Sequence, residues 1–256
     1  MKRDFRGTKK VLRDRLAVHP KTTVTVLELL QGTPQQQAHL LRLVQTDPAL
    51  AAAVMRAANS VHLGFARQIG GLRQATVMLG QNLVNAVVAG RVADRVFERK
   101  PMEYPEWLWS HSIALGATCT VLGRRTGVSP DEANTVGLLH DVGWLMAASN
   151  HVELEGRDRS HARVGAGLLT RWNLPERIVQ AVEHHHSIVD SSVSPLAKLV
   201  IAGHAFTAEL DANGPEPAVS MIEALHMLRL DIRPATIIEE IEEELVTITS
   251  VLELVR

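Results

Sequence analysis

Four stretches of this chain put imidazole where it could share a metal ion with its neighbours. They are His111 in Trp-Ser-His-Ser, the pair His140-Asp141 in Gly-Leu-Leu-His-Asp-Val-Gly, His161 in Ser-His-Ala-Arg-Val-Gly, and His185-His186 at the end of a triple histidine. Imidazole and carboxylate hold divalent transition metals, and such an ion both acidifies a water and neutralises phosphate charge. An adjacent His-Asp pair can serve one ion from a helix because its two side chains differ in reach. Thr135-Val136-Gly137-Leu138-Leu139 supplies that helix, and Gly143 places a small residue beside the proposed metal. His184 is expected to face solvent or to stand behind the ligands, and Trp107, Trp109, Trp144 and Trp172 are read as core or lobe-interface anchors rather than base-stacking platforms.

The elements that must position these residues are helical. Thr33-Pro34-Gln35-Gln36 and Ser129-Pro130-Asp131-Glu132 read as capping boxes, and Asp47-Pro48 and Ser194-Pro195 as simpler helix starts. Between them apolar residues recur at helical spacing, as in Leu50, Val54, Met55 and Ala58. The reading is all-α, with helices near residues 22–31, 34–45, 48–59, 81–98, 105–126, 130–149, 161–172, 175–187, 195–211, 217–229 and 234–254. Asn59-Ser60 is expected to end a helix through side-chain bonds to the backbone, and Gly70-Gly71 to turn. Two prolines in Lys100-Pro101-Met102-Glu103-Tyr104-Pro105 mark a junction between two lobes. The organisation expected is a basic segment 1–19, a helical lobe 20–100, a second helical lobe 101–212 and a helical extension 213–256. In that extension Ile237, Ile238, Ile241, Leu245, Ile248 and Leu252 form one apolar stripe, fit to pack on its own domain or on a partner.

Composition narrows the class further. A net charge of -1 over 256 residues gives no global attraction to nucleic acid or anionic lipid, the basic start being a local exception. Cys119 is the single cysteine, so no intrachain disulfide forms, and no window reaches the ~20 apolar residues of a membrane helix. A cytoplasmic protein without a membrane partner is expected.

Taken in order, these motifs resemble the HD superfamily and, more closely, its HDOD branch. The N-terminal half carries Thr46-Asp47-Pro48-Ala49-Leu50, Arg56-Ala57-Ala58-Asn59-Ser60 and Ala75-Thr76-Val77-Met78-Leu79-Gly80. The C-terminal half carries the histidine motifs above together with Trp172-Asn173-Leu174-Pro175-Glu176. The resemblance covers residues 20–210. It implies a two-lobed helical domain used in bacterial signal transduction, related to HD-GYP enzymes that hydrolyse cyclic di-GMP. Carried over position by position, it makes His111, His140 and Asp141 the first metal ligands and His161, His185 and His186 the further ones. The chain departs from the enzymes at three places. Trp107 stands where they have a glutamate, Gly203 or His204 stands at the position of the final aspartate, and Ser187-Ile188-Val189-Asp190 replaces Gly-Tyr-Pro.

The expectation is therefore a non-catalytic regulatory protein that binds a signalling partner in trans, with homodimer formation open. No catalytic residue is assigned. Bound metal (iron, manganese, zinc or nickel) and a metal-free, hydrogen-bonded cluster are both open for the six positions. A metal-dependent phosphohydrolase using His140 and Asp141 and a sensor of a nucleotide or cyclic dinucleotide stand as alternatives.

Overall fold

In the computed structural model, residues 16–30, 33, 39–96, 104, 106–150, 152, 154, 160–187, 193–210 and 217–250 are described. Their regular structure is helical throughout, as expected. In chain order the helices are α1 (Pro20–Leu30), α2 (Leu40–Leu43), α3 (Pro48–Ala58), α4 (Leu72–Val96), α5 (Glu106–Thr126), α6 (Pro130–Leu139), α7 (Val142–Ser149), α8 (Ser160–Arg171), α9 (Glu176–Glu183), α10 (Pro195–Leu210), α11 (Met221–Leu228) and α12 (Pro234–Thr249). Short 3-10 turns lie at Val44–Thr46 and Val61–Leu63.

Capping side chains start these helices largely where the sequence puts them. Asp47 adopts an extended backbone and its carboxylate accepts from the N–H groups of Ala49 and Leu50, while its second oxygen accepts from His19 N–H. Ser194 caps α10 through Ala197 N–H. Ser129 caps α6, but the reciprocal half of the expected box is missing because the Glu132 carboxylate pairs with Arg177 instead. A complete box lies at Ser220 and Glu223, ahead of α11. Residues 34–36 of the proposed box, residues 1–15 of the basic segment expected over 1–19, and Leu252 lie outside the described residues.

Two helix boundaries differ from the sequence expectation for identifiable reasons. α4 begins at Leu72 rather than near 81, because Gly80 at φ 71° and ψ 161° lets the chain kink and resume helix. That backbone conformation is open only to glycine at low cost. The stretch expected as one helix over 130–149 is two, broken at His140 and Asp141, the latter at φ -101° and ψ 17°.

The buried apolar residues form one cluster running from Leu16 to Ile248. α5 lies within it, packed along α6, α10 and α12. The apolar stripe of α12 faces this core: Ile237, Ile241 and Ile248 are buried, and Arg124 and Arg125 of α5 pair with Glu244 and Glu240 across the contact. The N-terminal helices join the histidine-bearing ones through specific polar contacts. Asp131 of α6 accepts from Arg73 and Gln74 N–H at the start of α4, and Thr135 accepts from Leu72 N–H. Asn59 ends α3 by bonding both to Met55 O and to Ile69, as expected, and its own carbonyl accepts from Asn173. Trp109 donates to Thr46 O and stacks on His19. Among the described residues no helix is long and apolar enough to cross a membrane.

Candidate metal centre

The break between α6 and α7 is what makes the His140-Asp141 pair useful. On a continuous helix, neighbouring residues point about 100° apart. Here the turn lets both side chains enter the same interior, with His140 Nε2 3.1 Å from Asp141 Oδ2. The pair therefore works from a turn rather than from within a helix. Trp144 N–H closes this turn onto Asp141 O. Gly143 allows α8 to approach, since a Cβ there would lie 2.0 Å from His161 O. The small residue thus brings His161 up to the pair.

All six histidine and aspartate positions singled out in the sequence converge. His111 comes from α5, His140 and Asp141 from the turn, His161 from α8, and His185 and His186 from the end of α9. Asp141 Oδ1 lies 3.2 Å from His161 Nε2 and 3.6 Å from His185 Nε2. His161 Nε2 is 3.3 Å from His185 Nε2 and 3.0 Å from His186 Nε2. Donors held ~2.0–2.1 Å from a tetrahedral ion stand roughly 3.3 Å apart, so this spacing fits a single ion. His184 is exposed, as expected.

The histidine left out of that set is His204 on α10. Its ring is buried and stacked on His111, 5.2 Å between centroids, and stands 5.1 Å from His140. Of the two positions open for the final ligand, 203 is a glycine with no donor and lies against α5, where a Cβ would sit 2.6 Å from Leu115 Cδ1. Residue 203 faces α5, and residue 204 faces the histidines. In sequence His204 sits inside the apolar run of a buried helix, and only a three-dimensional contact tells which neighbour points inward. The donors fall into two groups, Asp141 with His161, His185 and His186, and His111 with His140 and His204.

Local hydrogen bonds set the tautomers. The carbonyls of Gly137 and Val182 can only accept, so His140 Nδ1 and His185 Nδ1 carry the protons at 2.7 and 2.6 Å. That leaves each Nε2 with a lone pair turned into the cluster, the arrangement by which outer contacts orient metal-binding imidazoles. His140 Nε2, Asp141 Oδ1 and both ring nitrogens of His111 and His204 are buried without hydrogen-bond partners. A buried polar atom left unpaired costs about 1–3 kcal/mol, and coordination removes that cost. The donor chemistry and these orphaned atoms fit a divalent transition metal.

The electrostatics keep the donors in the right protonation state. Burial lowers His111 to about 4, reinforced by His140, and lowers His186 to about 3, reinforced by His185 and His161. His185 and His204 are also lowered, chiefly by burial. Burial works against ionised Asp141, but the surrounding imidazoles of His140, His161 and His185 outweigh it and hold the carboxyl well below the usual range. At neutral pH these four lowered imidazoles keep their lone pairs and the carboxylate its charge. Trp144 stacks on His161 and Trp107 lies 6.2 Å from His111, so the two indoles form an apolar wall.

An all-helical protein whose central turn presents His-Asp to a ring of buried imidazoles belongs to the HD class, and similarity to known proteins makes this specific. The model of the HDOD domain family matches residues 16–154, and that of the HD domain matches residues 108–217. The chain belongs to the HDOD domain family. It is 24% identical over 233 residues to an uncharacterized protein of Treponema pallidum (strain Nichols), covering 79% of this chain and 44% of that one. It is 38% identical over 99 residues to Ribonuclease Y of Lawsonia intracellularis (strain PHE/MN1-00), covering 39% and 18%. The chain thus spans less than half the length of these relatives. Among solved structures, the MmoQ response regulator of Methylococcus capsulatus str. Bath shares the fold, with a TM-score of 0.71 at 22% identity over 89% of this chain and 99% of that one.

Proposed function

We propose that this protein is a non-catalytic regulatory module of bacterial signal transduction. In this reading it acts on a signalling protein in trans, and its His/Asp centre holds a divalent transition metal: iron, manganese, zinc or nickel. The observation that carries the reading is the shortage of carboxylate. Trp107 and His204 occupy two positions where the related hydrolases place acids, and Asp141 is the one carboxylate in the two donor groups. An ion held there supplies Lewis acidity, but hydrolysis also needs a group within hydrogen-bond reach to move the proton. The buried imidazoles and Asp141 have the role of ligands. Regulation then resides in helix packing: Asp131, Thr135, Asn173 and Trp109 tie the helices of a lobe at 20–100 to those of a lobe at 101–212, and α11 and α12 of the proposed extension 213–256 pack on the second.

The test begins with elemental analysis of purified protein beside the His140→Ala/Asp141→Ala variant. Stoichiometric metal in the first and none in the second is expected, together with a partner complex that survives the double substitution. Absence of metal from the unaltered protein removes the metal reading, and turnover of a phosphoester abolished by His140→Ala removes the non-catalytic one.

A second reading, a phosphohydrolase or a nucleotide or cyclic-dinucleotide sensor, draws support from the similarity to Ribonuclease Y. The half-buried His186 gives the centre an edge toward solvent. Saturable nucleotide binding with the ligand recovered intact would identify a sensor, whereas cleavage would identify an enzyme. A cytoplasmic location and homodimer formation complete the proposal, to be checked by fractionation and by light scattering.

A further inference from the structure

We infer that the cleft between α3 and α4, which Trp172 also lines, is a binding site for a small organic anion with a flat apolar body. The cleft shares no residue with either donor group of the metal centre, and the inference stands whether or not that centre holds an ion.

Small side chains make the cleft. Ala49, Ala53 and Ala57 recur at every fourth residue of α3 and so lie along one face, and Ala86 and Gly90 do the same on α4. With nothing larger than a methyl group at these positions, the two helices leave a cavity of about 490 Å3 between them, within the ~300–1,000 Å3 range of small-molecule sites. A Cβ built at Gly90 meets nothing within 4 Å, so the space reaches the helix backbone there. A row of methyl groups is a shallow apolar surface, which a flat ring system covers with little loss of contact.

The polar groups fix the charge of the occupant. Two guanidiniums, those of Arg56 and Arg91, line the cleft with a single carboxylate, that of Asp94, leaving positive charge in excess. Arg91 is held in place, with Nη1 3.2 Å from Asp94 and Nη2 donating to Leu16 O at 2.9 Å. Arg56 lies over the Trp172 ring, 5.5 Å from its centroid. A guanidinium meets an aromatic ring through its face and an anion through the N–H groups in its plane, so the two contacts are compatible. Trp172 is 5% exposed and its Nε1–H has no hydrogen-bond partner, which gives the cleft a second unanswered polar feature. A carboxylate or a phosphate ester accepts from such donors and neutralises the excess charge, while an uncharged apolar molecule does neither.

The test is calorimetric titration of the full-length protein with naphthoate, naphthyl phosphate and the neutral naphthalenemethanol. The same titrations are made on Gly90→Leu, whose side chain enters the open space, on Arg56→Gln, and on His140→Ala/Asp141→Ala. One anion per chain is expected, with a Kd below about 1 mM, and the tighter of the two anions identifies the head group. Arg56→Gln should weaken it about tenfold, naphthalenemethanol should bind about tenfold more weakly than naphthoate, and Gly90→Leu should abolish binding. The double variant at the metal centre should bind as the parent does. Saturating naphthoate should raise Tm of the parent but not of Gly90→Leu. A cooperative thermal transition shows that each variant is folded, and if Gly90→Leu fails to fold, Ala86→Leu at an exposed position of the same face replaces it. Absence of saturable binding to the parent, or binding that survives both Gly90→Leu and Arg56→Gln, overturns the site. Binding lost in the double variant assigns the anion to the metal centre and overturns it equally, and naphthalenemethanol bound as tightly as naphthoate overturns the selectivity for an anion.

Discussion

Replacing Gly143 with alanine tests whether helix approach at this residue builds the centre. The new Cβ would lie 2.0 Å from His161 O, 2.8 Å from His161 C and 2.9 Å from Gly165 N. All three are backbone atoms, so no side chain can turn away. α7 and α8 must separate by about 1 Å to bring the closest contact to the shortest distance that Cβ atoms tolerate. Such overpacking costs about 1–3 kcal/mol, partly offset by the roughly 1 kcal/mol that alanine gains over glycine within a helix. A net loss of about 1 kcal/mol corresponds to a fall in Tm of roughly 2–4 °C for a chain of this size. The assay is thermal unfolding of metal-free protein followed by circular dichroism, with Gly90→Ala as control. Gly90 is an exposed position of α4 where a Cβ meets nothing within 4 Å, so alanine there should leave Tm unchanged or raise it. Because His161 sits at the collision, Gly143→Ala should also weaken metal retention, while Gly90→Ala should not. A Gly143→Ala protein as stable as the parent, with its metal unchanged, would refute the reasoning.

Other expectations follow from the same geometry. Asp47→Ala removes the acceptor for three backbone N–H groups and should lower urea stability by about 2 kcal/mol, with Asp47→Asn intermediate. Gly80→Ala forces a side chain into a positive-φ kink and should cost about 1–3 kcal/mol in the same assay, a value near zero being evidence that the kink relaxes. In metal-free protein His111 stays neutral until about pH 4, whereas in the unfolded chain it takes up a proton below about 6.5. Its contribution to stability is therefore present above pH 6.5 and is lost as pH falls toward 4, at up to ~1.4 kcal/mol per pH unit or roughly 3 kcal/mol in all. Urea titrations at pH 7.0 and 4.5 should show a smaller pH effect in His111→Phe. The exposed Arg125 should gain little from pairing with the half-buried Glu240, so Glu240→Gln is expected to leave the urea midpoint close to that of the parent.

Helix starts were legible because their chemistry is local: Asp47-Pro48 and Ser194-Pro195 each carry both the capping acceptor and the proline. The six ligand candidates could be named because the spacing of the histidine motifs resembles a known family, and the fold brings them together. The break at His140-Asp141 was hidden, since Leu138, Leu139, Val142 and Leu145 continue the apolar pattern across it and a turn buried on all sides needs no glycine or proline. The helix from Leu72 to Leu79 was missed for the opposite reason: Gly70, Gly71 and Gly80 look like loop punctuation. His204 required knowledge of tertiary contact, because Ala202, Gly203, His204 and Ala205 give no local sign of which one meets α5.

α6 has a mechanical consequence. Its first turn carries Asp131, which caps the start of α4, and its C-terminal end is His140 inside the histidine cluster. Ten residues of helix span about 15 Å, and a helix this short and buried moves as a stiff strut. An axial displacement of His140 would therefore reach the N-terminus of α4, where Arg73 and Gln74 N–H bond to Asp131. The histidine cluster and the start of α4 are joined by one short helix, so a change of ring position on metal binding should register in the exchange protection of the Arg73 and Gln74 amides.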